Sequence, residues 1–124
     1  MEIPGLRPIE VRWLAYIAGF VDGEGTISWR RLKVGNTYPL ILFILREFFG
    51  GSIYREPAEG RRTMFAWAVY GQNALKAVQA LVPFLIEKQE QGQILLKMDK
   101  YPAKSEQRRL LSERLTQLKH IDHG

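Results

Sequence analysis

The residues in this chain best placed to do chemistry are two carboxylates, Asp22 and Glu24. They alternate with Gly23 and Gly25 at the end of the run W-L-A-Y-I-A-G-F-V-D-G-E-G, residues 13–25. The run reads as a helix that the two glycines stop in a sharp turn. Carboxylates at a helix C-terminus face the negative end of the macrodipole, an unfavourable placement unless a cation is held there. The plainer reading is a Gly-capped core helix with solvated acids. Small residues fall at Ala15, Ala18 and Gly19. At about 100° per residue, Ala15 and Asp22 lie about 20° apart around the axis. One stripe of Ala15, Ala18, Gly19 and Asp22 is therefore predicted, and such a stripe lets a second helix backbone approach closely.

A second set of candidates is cationic. Residues 26–32 read as a strand, with Ile27 and Trp29 on one face and Thr26, Ser28 and Arg30 on the other. Arg55 lies toward the end of a second strand at 52–56. Arg61 and Arg62 sit in a hairpin loop at 57–62, and Arg31 and Lys33 add charge near the first turn. A sheet or two-stranded ribbon fits the DNA major groove, where Arg reads guanine bidentately and any cation meets phosphate. This places Arg30 and Arg55 as base or phosphate contacts beside Ser28, and Lys33, Arg61 and Arg62 as phosphate contacts. The alternative is a solvated strand face. Trp29, Phe65, Trp67 and Tyr70 are expected in the core.

The elements that must position these groups can be read from punctuation and periodicity. Residues 1–8 read as a loop and 9–21 as the first helix, and Gly35-Asn36 marks a turn. The apolar run 38–49 fits a strand, a helix or one followed by the other, and Gly50-Gly51 ends it. Residues 63–70 read as a third strand, after which Asn73 is placed to cap a helix at 74–82 that Pro83 interrupts. Another helix is expected at 88–98. Ser105 is placed to cap a last one, through about His120, with Leu110, Leu111, Leu115 and Leu118 as its apolar stripe. Arg108, Arg109, Arg114 and Lys119 on that helix add backbone contacts to nucleic acid or form a solvated, i,i+4-paired face.

The chain has 124 residues, 46% of them hydrophobic, enough for one α+β domain with a real core. Its net charge of +5 and pI of about 9.7 fit a polyanionic partner, with placement mattering more than total. Cysteine is absent, so there is no disulfide framework or thiolate metal site. Residues 1–12 carry charges and prolines rather than an apolar signal, and no apolar run reaches the length of a membrane span. An intracellular protein, cytoplasmic or organellar, without membrane partners is expected.

The segment I-A-G-F-V-D-G-E-G, residues 17–25, resembles the LAGLIDADG motif of the homing endonucleases. The likeness extends to F-F-G-G-S-I-Y-R, to Y-G-Q-N-A-L-K-A-V-Q-A-L-V-P-F-L and to I-E-K-Q-E-Q, covering most of residues 13–98. It implies a single domain over 1–124, with a family core at 9–98 and a helical extension at 99–124. The expected fold is an αββαββα half-domain whose antiparallel sheet lies in the DNA major groove. One motif per chain implies a homodimer pairing through Ala15, Ala18 and Gly19. The family usually has a complete second strand and a full helix where this chain has only P-L-I-L-F-I-L, residues 39–45. Part of the second strand and second helix is therefore expected to be missing, together with the polar residue that orients active-site water.

The resemblance assigns Glu24, beside Gly23, to a catalytic divalent metal. Two copies of Glu24 at a two-fold axis repel unless cations intervene, and hard oxygen ligands suit Mg²⁺. Asp22 becomes a supporting or turn-capping acid, and Lys88 the cation approaching the scissile phosphate. The implied activity is metal-assisted hydrolysis of double-stranded DNA at a specific site, as in intron or intein mobility. The competing readings are a non-cleaving DNA- or RNA-binding protein on the same scaffold, such as a splicing helper acting on intron RNA, and a helix-rich interaction module.

Overall fold

The computed structural model describes residues 10–36, 39–57 and 63–123. Its elements follow the order α1 (Val11–Glu24), β1 (Gly25–Ser28), β2 (Arg31–Asn36), α2 (Leu40–Phe49), β3 (Ser52–Glu56), β4 (Met64–Tyr70), α3 (Gly71–Leu81), a 3₁₀ turn (Val82–Phe84), α4 (Gln89–Met98) and α5 (Glu106–His123). The four strands pair antiparallel in the order β1-β2-β4-β3.

The sheet therefore keeps all four strands. The residues expected to form one strand at 26–32 instead reverse direction at Trp29-Arg30, and the second strand begins at Arg31. Ser28 pairs with Arg31, leaving a two-residue turn in which Arg30 has φ 50°. The left-handed region costs a non-glycine residue roughly 1 kcal/mol. Here the Arg30 carbonyl also accepts the Gly71 N–H at 2.9 Å, which ties the turn to the end of β4. The apolar run after residue 38 contributes no strand: residues 40–49 are helix throughout. Gly35 and Asn36 are the last residues of β2 rather than a turn.

Period-two alternation gives the sheet two unlike faces. Ile27, Leu32 and Val69 form one cross-strand row, and Val34, Trp67 and Ile53 another, all turned toward the helices. Ile27, Leu32, Val34 and Trp67 are fully buried there with Leu14, Ile17, Val21, Leu42, Leu45 and Leu81. Trp67 donates its indole N–H to the Gly50 carbonyl at 2.7 Å, so its polar atom is satisfied inside the core. Gly51 has φ 88°, and a Cβ there would lie 2.5 Å from the Ala68 carbonyl oxygen. Only glycine lets β3 start this close to β4.

After β4, Gly71 (φ 66°) starts α3 directly, so Tyr70 rather than Asn73 holds the N-cap position. A second, smaller cluster of Ile94, Met98 and Leu115, with Leu111 and Leu118 against it, docks α5 on α4. Leu110, expected in that stripe, is 52% exposed. Ser105 does cap α5, its Oγ accepting the Arg108 N–H at 3.2 Å. No helix among the described residues is long and apolar enough to cross a membrane.

Candidate functional site

The end of α1 meets the segment before α4 through one carboxylate. Asp22 Oδ2 accepts the Ile86 N–H at 2.8 Å, and its Oδ1 accepts the Lys88 N–H at 3.0 Å. The Lys88 ammonium returns to the Asp22 main-chain carbonyl. These bonds join residues 64–66 apart in sequence and answer the electrostatic problem of an acid at a helix C-terminus. Fixed N–H donors hold the Asp22 carboxylate, and the Lys88 cation caps a carbonyl that the helix end leaves open. Both Asp22 oxygens are thereby engaged, and Lys88 is held half-buried against the helix tip.

Glu24 is different. It is exposed, and its carboxylate has no hydrogen bond or ion pair among the described residues. Gly23 is exposed with open space around it, whereas a Cβ at Gly25 would come within 2.7 Å of the Val21 carbonyl oxygen. The last glycine of the motif thus lets β1 fold back against α1. The Glu24 carboxylate and neighbouring main-chain carbonyls are hard oxygen donors that fit Mg²⁺ or Ca²⁺. Among the described residues no three His, Cys, Asp or Glu side chains converge, so a single chain offers only part of such a shell.

The small-residue stripe on α1 needs one correction. Ala18 is 0% exposed and packs into the protomer's own core. The exposed ridge runs through Ala15, Gly19 and Gly23, spaced four residues apart, and a Cβ on either glycine would meet no atom within 4 Å. The sequence stripe had mixed positions that the helix separates: Ala18 lies about 60° around the axis from Ala15.

The outer face of the sheet carries Thr26, Ser28, Arg31, Lys33, Tyr54, Glu56 and Tyr70. The turn at Trp29-Arg30 shifts the expected alternation by one residue. Arg31 therefore takes the outward position expected for Arg30, and Arg30 becomes a turn residue with its guanidinium 5.8 Å from the Trp29 ring. Arg55 shares the helix-facing side with Ile53, on the edge strand, not the face of Ser28 and Lys33. Trp29, expected in the core, is 38% exposed at the turn, and Tyr70, also expected there, is 60% exposed beside Arg31. Arg61 and Arg62 lie outside the described residues. The signal for Arg31 was the pair Trp29-Arg30, interrupting an alternation that holds on either side.

Lys33 forms an ion pair with Glu56 across the outer face, next to the Tyr54 ring. Its hydrogen bond to Glu56 raises the Lys33 pKa, against the opposing effect of burial, and the same bond lowers that of Glu56. The stability linked to Glu56 is lost as pH falls through its depressed value; that linked to Lys33 is lost as pH rises through its raised one. The pair is intact across neutral pH. Both side chains are partly exposed, so the pair is worth no more than about 1 kcal/mol.

No protein-family model matches the sequence, and no curated protein does. Solved structures do match. The homing endonuclease I-CvuI in complex with its target in the presence of Ca superposes with a TM-score of 0.69 at 23% identity, covering 86% of this chain and 82% of that one. The same enzyme with the I-CreI target, in the presence of Mg with DNA not cleaved, gives 0.66 at 23% over the same shares. The archaeal intron-encoded homing endonuclease I-Vdi141I complexed with DNA gives 0.65 at 20%, covering 90% of this chain and 93% of that one. At these identities the likeness is one of fold. The αββαββα order and four-stranded antiparallel sheet are those of a LAGLIDADG half-domain, as the sequence resemblance implied.

Proposed function

We propose that this chain, which has the LAGLIDADG homing-endonuclease fold, is a site-specific, Mg²⁺-dependent endonuclease that cuts double-stranded DNA as a homodimer. The observation that carries this reading is the Asp22 clamp. It holds Lys88 against the helix tip from which Glu24, 64 residues earlier in sequence, extends with its carboxylate unpaired among the described residues. The matched structures with bound DNA support the substrate class.

Each residue then has a definite task. The exposed ridge of Ala15, Gly19 and Gly23 admits the same ridge of a second copy, which brings two Glu24 carboxylates to one axis. Glu24 of each copy, with the Gly23 carbonyl, would provide oxygen donors to hold Mg²⁺. Bound there, the metal supplies Lewis-acid polarisation of the phosphate and a more acidic water. Lys88 places positive charge where the phosphorane becomes more negative, an interaction stronger in the transition state than in the ground state. Asp22 is a positioning residue: it fixes the backbone from which Lys88 extends. The outer sheet face, with Arg31 and Lys33, lies against the DNA groove.

The test is an in vitro selection on randomised duplex DNA, with Mg²⁺ and with Ca²⁺, for the wild type and Glu24→Gln. The expected result is cutting with Mg²⁺, binding without cutting in Ca²⁺, and loss of cutting but not of binding in Glu24→Gln. Enriched bound sequences without cutting by the wild type would replace this reading with that of a non-cleaving DNA- or RNA-binding protein on the same scaffold. Neither cutting nor enrichment would overturn nucleic-acid binding altogether.

A further inference from the structure

The C-terminal helix lies beyond the αββαββα unit, yet it reaches the outer face of the sheet. Arg108 stacks 4.3 Å above the Trp29 ring and donates its Nε–H to the Met98 carbonyl at 3.0 Å. It thereby pins the start of α5 to the β1–β2 turn. The other cations of this helix are mostly neutralised. Arg109 pairs with Glu106 and Glu113, and Arg114 with Glu90. Lys119 is the exception. It is half-buried, and its ammonium donates to Ser28 Oγ at 3.0 Å on the outer face.

Arg31 stands in the same row, paired across the ladder with Ser28 on one side and Tyr70 on the other. Its Nε is enclosed and has no hydrogen-bond acceptor, and neither Arg31 nor Lys119 has a carboxylate in ion-pair contact among the described residues. Burial, and then the charge of Arg31, push the Lys119 pKa below the usual lysine value. Two cations thus stand side by side on the outer face, with no carboxylate in ion-pair contact among the described residues.

We propose that Arg31, Lys119 and the Ser28 hydroxyl form a seat for a phosphodiester of the DNA backbone, so that α5 belongs to the DNA-binding surface. The proposal rests on the DNA-binding reading above and adds a contact from outside the half-domain. Such a contact positions the protein without reading sequence.

Binding of the selected duplex and of an unrelated duplex is measured by fluorescence anisotropy across a salt series. The proteins are wild type, Arg31→Gln, Lys119→Gln, Lys119→Arg and, as a control within α5, Arg109→Gln. Far-UV circular dichroism checks that each is folded. Arg31→Gln and Lys119→Gln are each expected to reduce the slope of log K against log salt by about 1, and to weaken both duplexes equally. Lys119→Arg and Arg109→Gln should keep the wild-type slope. Wild-type-like slopes in the folded Gln variants would overturn the seat and leave the nuclease reading standing. Reduced slopes with single-stranded RNA but not with duplex DNA would overturn the assignment to DNA. No salt-dependent binding by the wild type to either duplex would overturn the seat and the reading together.

Discussion

Asp22 and Glu24 are two residues apart and have opposite surroundings. Asp22 spends both oxygens on the backbone N–H groups of Ile86 and Lys88, while Glu24 faces outward with its carboxylate free among the described residues. Helix geometry accounts for the difference: residues two apart point about 160° away from each other once their backbone is helical. The sequence could say that both acids sit near a helix end, but the partners of Asp22 lie on the far side of the sequence and only folding brings them in. Replacing Asp22 by Ala leaves two N–H donors and the Lys88 loop untethered. The expected cost is roughly 1–2 kcal/mol, with most of the cutting rate lost as Lys88 is released. Thermal denaturation beside a cleavage assay checks this, and an unchanged melting temperature would show that the clamp holds nothing in place.

The element whose register mattered most is the β1–β2 hairpin. A two-residue turn at Trp29-Arg30 divides what reads as one strand, and this single step exchanges Arg30 for Arg31 on the outer face. A side-chain period of two makes any one-residue slip a change of face. Neither Trp nor Arg is a customary residue at positive φ, so residue type did not announce the turn and only the break in alternation marked it. The α1 helix was legible as an element from its apolar periodicity and closing glycines, although the face taken by Ala18 was not. Its exposed glycine offers a test of the dimer. Gly19→Leu should raise the thermal stability of the protomer by up to about 1 kcal/mol, since the glycine costs that much within a helix. The new side chain meets empty space in this chain but would collide with a second α1. Sedimentation velocity should show monomer for the variant and dimer for the wild type. Equal dimerisation of both would remove α1 as the interface.

At the scale of the whole molecule there are two hydrophobic clusters: the large one between sheet and helices, and the small one that docks α5. The large cluster could be anticipated from apolar periodicity in each element. The small one was anticipated in its residues, Leu111, Leu115 and Leu118, but not in its consequence, which is to hold a basic helix against the tip of the sheet. Leu115 is almost fully buried there. Leu115→Ala should cost about 2–3 kcal/mol, in the lower part of the Leu→Ala range because the cluster is small and can partly collapse. Urea denaturation followed by circular dichroism measures that loss, and a cost under about 0.5 kcal/mol would mean that α5 is held by its polar contacts alone.

The sequence by itself indicated most of the helices and, apart from the first hairpin, the strands, but left residues 38–49 open between strand and helix. It also determined where the motif carrying Asp22 and Glu24 ends and that the chain is basic, because periodicity, glycine punctuation and charge act over a few residues. It left an apparent gap in the sheet that the fold does not have, since the missing strand was hidden within residues already assigned. Three things were decided by tertiary structure alone. The Asp22 carboxylate is committed to backbone donors at Ile86 and Lys88. Ala18 faces inward while Ala15 and Gly19 face out. Lys119 arrives beside Ser28, a residue 91 positions earlier. Each depends on which surface buries the most apolar area once all elements are present, and that choice has no local signature in the chain.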